Sequence, residues 1–288
     1  MPLDQRIIDL YDEYTHEGLG RRVFLERAAK ITGSVAAASA AFEMLAPNYA
    51  LAQMVKPDDA RLDSKMVTWQ GADVMTGYMV RPKGTAKLPG VLVIHENRGL
   101  NPHIQDVARR IALEGYVALA PDALSPIGGA PADPDAAIKL IAEVGKDMPK
   151  VVRNFSTGVD YLKKSDQTTG KVGTVGFCWG GAMSGMMAVN SAADAITIYY
   201  GRAPNAPDAE KVKSPMLVHL GGLDTGLNAS WPPFETAAKA AGKKITINTY
   251  EGANHAFNND TGGERYNKAA ADLAWSRTQA FFKENLKS

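Results

Sequence analysis

The only cysteine among 288 residues lies in the stretch VGTVGFCWGGAMS, residues 172–184. Around it the sequence reads Gly176-Phe177-Cys178-Trp179-Gly180, a G-x-C-x-G pattern between an apolar run and a run of small residues. A nucleophile on a tight strand-to-helix turn sits in strained backbone, so its neighbours cannot carry bulky Cβ substituents. Gly176 and Gly180 leave that room, and Gly181, Ala182, Ser184 and Gly185 let the following helix pack closely on a sheet. The sulfur of Cys178 would then stand at a helix N-terminus, where the dipole favours thiolate. The backbone N–H of Trp179 would face a developing oxyanion. Taken alone, the pattern also fits an inert buried thiol, the common fate of a single cysteine.

Two downstream residues favour the nucleophile. Asp224 follows the apolar run MLVHLGGL, and His255 stands in YEGANHAF just past another run. Nucleophile, acid, then histidine, each after a strand, is the order of α/β-hydrolase triads. In that arrangement His255 takes the thiol proton and returns it to the leaving group, while Asp224 fixes the imidazole tautomer. Glu96 follows the strand-like VLVIHEN. A carboxylate beside a cysteine opposes thiolate unless it accepts the thiol proton itself; pairing with Arg98 or with a helix end is the alternative role for Glu96.

These residues need a scaffold that brings distant strand ends together. KMVTWQ and VMTGYMVRP read as an antiparallel hairpin at a sheet edge. Short apolar runs at 91–97, 117–122, 171–177, 195–201, 216–222 and 244–250 read as strands, the first of them buried on both faces. Helical spacing covers 103–116, 134–145, 148–163 and 268–286. Strands alternating with helices predict one α/β domain over residues 54–288, a mostly parallel sheet with helices on both faces. Ligands bind at the carboxyl ends of such strands, where Glu96, Asp122, Cys178, Arg202, Asp224 and His255 stand.

On the segments VIHENRGLNPHIQDVARRIALEGYVALAPD (93–122), GKVGTVGFCWGG (170–181), IYYGR (198–202), LGGLDT (220–225) and YEGANHAFNND (250–260), the chain resembles the dienelactone hydrolase (carboxymethylenebutenolidase) family. The likeness covers about residues 66–286 and is nearest to a bacterial subgroup with an N-terminal helical extension. It implies the α/β-hydrolase fold and hydrolysis of a small ester or lactone through a thioester, with Cys178, Asp224 and His255 as the triad. It implies further that Glu96 contacts the thiol and helps generate thiolate when substrate binds, and that the Asn97 backbone supplies the second oxyanion donor. One departure stands out. Family members that act on a lactone carboxylate hold it with arginines, whereas the matching segments here, PDALSPIGG and HAFNN, contain none and place Asn259 at one such position. Arg98 and Arg202 are the candidate replacements, or else make surface ion pairs; Trp179, Tyr200 and Trp231 are candidates for an apolar wall around the acyl group. A non-catalytic small-molecule binder on the same fold is the rival reading.

Composition narrows the partners. A net charge of +1 and no basic block interleaved with aromatics point away from nucleic acid. No apolar stretch approaches the ~20 residues that span a bilayer. The five histidines are too scattered for a sequence motif of metal ligands, and no cofactor or metal is expected; oligomeric state is not legible. Residues 1–53 differ from the rest. An amphipathic helix over 6–18 precedes Arg21-Arg22, then Phe24-Leu25, an alanine-rich segment and Ala50-Leu51-Ala52. This reads either as a helical extension of a cytoplasmic enzyme or as a twin-arginine export signal of a periplasmic one. Glu43 and the acidic leader favour the extension.

Overall fold

The computed structural model describes residues 3–16, 18–52 and 54–287. The apolar runs become eight strands: β1 (Leu62–Gln70), β2 (Val74–Pro82), β3 (Leu88–Ile94), β4 (Val117–Pro121), β5 (Thr168–Phe177), β6 (Ala195–Tyr199), β7 (Met216–Gly221) and β8 (Ile245–Tyr250). They form one sheet in the order β1-β2-β4-β3-β5-β6-β7-β8. The β1–β2 hairpin and the β2–β4 pair are antiparallel. All other pairs are parallel. The order reverses at β3, which lies between β4 and β5. The crevice outside the carboxyl ends at such a reversal is the ligand position of open α/β sheets.

Helices precede and cover the sheet: α1 (Gln5–His16), α2 (Arg21–Thr32), α3 (Val35–Leu45), α4 (Pro102–Leu113), α5 (Pro134–Val144), α6 (Met148–Lys164), α7 (Trp179–Asn190), α8 (Thr225–Asn228), α9 (Trp231–Ala240) and α10 (Lys268–Leu286). Alternation along each strand sends side chains to opposite faces. Leu92 and Ile94 of β3 belong to one core with Phe155 and Val159 of α6, Met183 of α7 and Phe234 of α9. Val91 and Val93 meet Ile104, Val107 and Ile111 of α4 and Phe282 of α10 on the other side. Each such fully buried aliphatic side chain contributes roughly 1.5–3 kcal/mol. The run at 91–97 was expected to be strand throughout, but β3 stops at Ile94. His95 turns out of the ladder, its Nε2 accepting the Ala123 N–H at 3.1 Å. That turn frees Glu96 and Asn97 to face the crevice.

α1, α2 and α3 have a core of their own. Tyr11, Tyr14, Phe24 and Phe42 meet at tilted or edge-on angles, with ring centroids 5.3 to 6.0 Å apart. The three-helix unit docks through α1 onto the carboxyl edge of the sheet. Arg265 donates to Asp12 Oδ1 at 3.1 Å, Gln5 to Asn254 Oδ1 at 2.6 Å and Arg98 to the Tyr11 hydroxyl at 3.2 Å. The Asn97 amide donates to the Thr15 carbonyl. The paired arginines lie on α2, Arg21 over the Phe42 ring and 3.3 Å from Glu43, Arg22 beside Glu26. The expected boundary at residue 53 lies outside the described residues. No described helix is long and apolar enough to cross a membrane.

Candidate active site

β5 ends at Phe177 and α7 begins at Trp179, so Cys178 is the whole connection. Its backbone holds φ 57° and ψ −116°, a conformation that costs of order 1–3 kcal/mol for a residue with a Cβ. The turn is locked from both sides. The Cys178 N–H donates to Tyr199 O at 3.0 Å, and its carbonyl accepts from Ala182 N at 3.1 Å. A Cβ at Gly176 would fall 1.8 Å from the Gly180 carbonyl oxygen, and one at Gly180 would fall 2.3 Å from the His95 carbonyl oxygen. Only glycine allows so close a crossing. Trp179 starts α7, so its N–H has no intrahelical acceptor, and its ring stacks on His95 at 5.3 Å.

Asp224 follows β7, and His255 follows β8. His255 Nδ1 lies 2.6 Å from Asp224 Oδ2. Burial opposes ionisation of Asp224, yet the bond from His255 holds the carboxyl below its usual value. Burial likewise opposes charge on His255, but Asp224 and then the Cys178 sulfur outweigh it and push the imidazole up to about 9. His255 Nε2 is buried without a hydrogen-bond partner and lies within 4.8 Å of Cys178 Sγ.

Among the described residues, three that are not glycine have positive φ: Cys178, Tyr200 at 37° and Ala256 at 61°. All three stand at or next to the site. Tyr200 is fully buried, its ring 5.1 Å from His255, and its hydroxyl donates to Glu96 Oε1 at 3.4 Å. The Asn259 amide donates to the other oxygen, Glu96 Oε2, at 2.8 Å. Glu96 therefore rests between Asn259 and Tyr200 and makes no hydrogen bond to Cys178. The Cys178 sulfur instead faces His16 Nε2 at 2.9 Å. His16 ends α1 and is separated from Cys178 by 162 positions. Nothing in its local sequence marks it; only the docking of α1 brings it here.

An open cleft of about 850 Å³ leads to the sulfur, with Trp179, Tyr200, Ile138 and Leu227 on one side and residues of α1 on the other. Arg202 is exposed and lines it. Arg98 and Trp231, expected to contact substrate, do not line it. Arg98 is buried under α1 against Tyr11, and Trp231 is buried beneath the site with its indole N–H donating to Gly201 O at 3.0 Å. Both follow or flank strand ends, but their side chains turn into packing rather than into the crevice. The Asn97 side chain is spent on Thr15, leaving only its backbone for an oxyanion role.

A cysteine on a glycine-lined elbow after the central strand, with an Asp–His pair supplied from two neighbouring strand ends, defines an α/β-hydrolase architecture. The model of the dienelactone hydrolase family matches residues 75–286. The chain belongs to that family and is an ester or lactone hydrolase by class. A second model, described as YqhI-like, matches residues 2–30. Protein usf of Aquifex pyrophilus is 36% identical over 220 residues, covering 73% of this chain and 93% of that one. A Saccharolobus solfataricus protein, provisionally named a carboxymethylenebutenolidase, is 32% identical over 227 residues, covering 67% and 88%. Among solved structures, a dienelactone hydrolase-like promiscuous phosphotriesterase from metagenomic libraries superposes with a TM-score of 0.70 at 25% identity, covering 79% of this chain and all of the other.

Proposed function

We propose that the protein hydrolyses a small ester or lactone with Cys178 as nucleophile, His255 as general base and acid, and Asp224 as its orienting partner. The observation that carries this reading is the strained Cys178 elbow facing an Asp224–His255 pair joined at 2.6 Å. His255 Nε2 takes the thiol proton, and the sulfur attacks the carbonyl carbon of the substrate. The resulting oxyanion accepts from the backbone N–H of Trp179 and that of Asn97. His255 returns its proton to the leaving oxygen as the carbon–oxygen bond breaks, giving a thioester. Water then gives a proton to His255 and attacks the thioester carbon; the carboxylic acid departs and the thiol is restored.

Glu96 acts in this reading through Tyr200, whose ring packs on His255, and so is a positioning residue. The substrate side of the cleft is largely apolar, with Trp179, Ile138 and Leu227 suited to an acyl group, and Arg202 at its rim. No arginine takes the place of the family's carboxylate clamp, since Asn259 is engaged with Glu96. A neutral ester or lactone is therefore the favoured substrate. The test is intact-mass spectrometry after mixing with p-nitrophenyl acetate, followed by peptide mapping. An acetyl group on Cys178, absent from Cys178→Ala and not turned over in His255→Ala, is the expected result. No adduct and no turnover would make the protein a non-catalytic binder instead.

A further inference from the structure

His16 gives the crevice an imidazole that the hydrolytic mechanism does not use. Its Nδ1 lies 2.8 Å from the Asp12 carbonyl oxygen. A carbonyl can only accept, so Nδ1 carries a proton, and Nε2 points at Cys178 Sγ, 2.9 Å away. His255 is built the same way: its Nδ1–H donates to the Asp224 carboxylate, and its Nε2 faces inward with no partner. Two imidazole nitrogens therefore converge on one sulfur.

A divalent cation can bond to all three atoms at once. We propose that Cys178, His16 and His255 form a site for Zn²⁺ or a similar borderline-soft divalent ion, assembled by the docking of α1 and silencing the nucleophile while occupied. One thiolate with two neutral imidazoles is a donor set such ions prefer, with the fourth position open to the cleft. The three donor atoms already lie within 4.8 Å of one another. Tetrahedral zinc, with bonds of roughly 2.3 Å to sulfur and 2.0–2.1 Å to nitrogen, sets donors roughly 3.3–3.6 Å apart. Reaching that geometry takes shifts of about an ångström or less. Each imidazole already donates its other N–H to a carboxylate or a backbone carbonyl, the outer-shell pattern that fixes metal-bound histidine.

Binding is a proton exchange without redox change. The Cys178 S–H proton is released, the sulfur and the two imidazole nitrogens form bonds to the ion, and these three donors with one retained water replace its hydration shell. A sulfur held this way cannot attack a carbonyl. The site needs no particular substrate, so its test does not depend on the hydrolase reading.

Chelator-treated full-length protein is titrated with Co²⁺ and followed by absorbance. The expected result is a thiolate-to-cobalt charge-transfer band with tetrahedral ligand-field bands, saturating at one ion per chain, releasing a proton and displaced by Zn²⁺. Zn²⁺ should also protect Cys178 of the unmodified chain from iodoacetamide, an arm that needs no variant. Cys178→Ala should lose the band. His16→Ala should weaken the ion's affinity by about tenfold or more; His16 is exposed, so its truncation leaves no core void, and circular dichroism checks the fold. Absence of the band, its survival in Cys178→Ala, or an unchanged affinity in folded His16→Ala would overturn the proposal.

Discussion

Replacing Asp224 by Asn keeps the shape of the Asp–His contact and removes its charge. The displacement of His255 from 6.5 to about 9 corresponds to roughly 3 kcal/mol favouring the imidazolium. Burial works against that displacement, and the Asp224 bond is the largest contribution overcoming it. In Asp224→Asn, burial meets only the weaker pull of the Cys178 sulfur, so the imidazole falls back toward or below its ordinary value. An Asn side chain can also turn its amide toward Nδ1 and select the wrong tautomer. Loss in kcat/KM on the order of 10²–10⁴ is expected, with KM nearly unchanged. The assay is p-nitrophenyl ester hydrolysis from pH 5 to 10 with chelator present, alongside the rate of Cys178 alkylation by iodoacetamide. The wild-type profile should show a limb near pH 9 that moves to lower pH in the variant. A variant within threefold of wild type with an unmoved profile would refute the reasoning, because Asp224 would then not govern His255.

Three further outcomes follow from the same geometry. Gly176→Ala places a Cβ 1.8 Å from the Gly180 carbonyl oxygen, a clash between backbones that no rotamer relieves; thermal and urea unfolding should show a loss of about 3 kcal/mol or more, and an unchanged melting temperature would contradict the tight elbow. Burial, aided by Arg277, depresses His219 from 6.5 to about 3, so the unfolded chain takes up a proton there that the folded chain refuses. Stability contributed by neutral His219 is complete above pH 6.5 and lost as pH falls toward 3, by about 2 kcal/mol between pH 7 and pH 5; the stability difference between wild type and His219→Gln in urea titrations should be constant above pH 7 and change as pH falls from there. Arg202→Ala should raise KM for a carboxylate-bearing ester by at most about fivefold, since an exposed ion pair is worth ~0.2–1 kcal/mol, and leave a neutral ester unaffected; a hundredfold effect would restore a dedicated carboxylate clamp.

Local pattern carried the middle of the sheet because β3, β4, β6 and β7 are short, apolar and bounded by turn residues, and burial on both faces leaves no room for another composition. The order Cys178, Asp224, His255 could be read because parallel strands end on one edge, so chain order becomes spatial neighbourhood. Side-chain direction beyond a strand end could not be read the same way. Arg98 and Trp231 both sit near the crevice in sequence, yet one packs under α1 and the other under β6, where tertiary packing decides the rotamer. The Asn259 bond that holds Glu96 in this structure comes from 163 residues away, and no local pattern announces it. His16 had no signal at all. Its position depends on how three N-terminal helices settle on the sheet, and that is set by long-range contacts such as Arg265 with Asp12.

Cys178, Tyr200 and Ala256 share left-handed backbone, and they are the residues that aim the sulfur, wall the imidazole and follow His255. Relaxing any of them, as Ala256→Gly would, should make the chain easier to fold while loosening the alignment of its reacting atoms. Selection for heat resistance and selection for turnover therefore pull on the same three positions in opposite directions. Variants evolved for thermostability should gain it in the β1–β2 hairpin or on the outer helices, and leave these three dihedrals as they are.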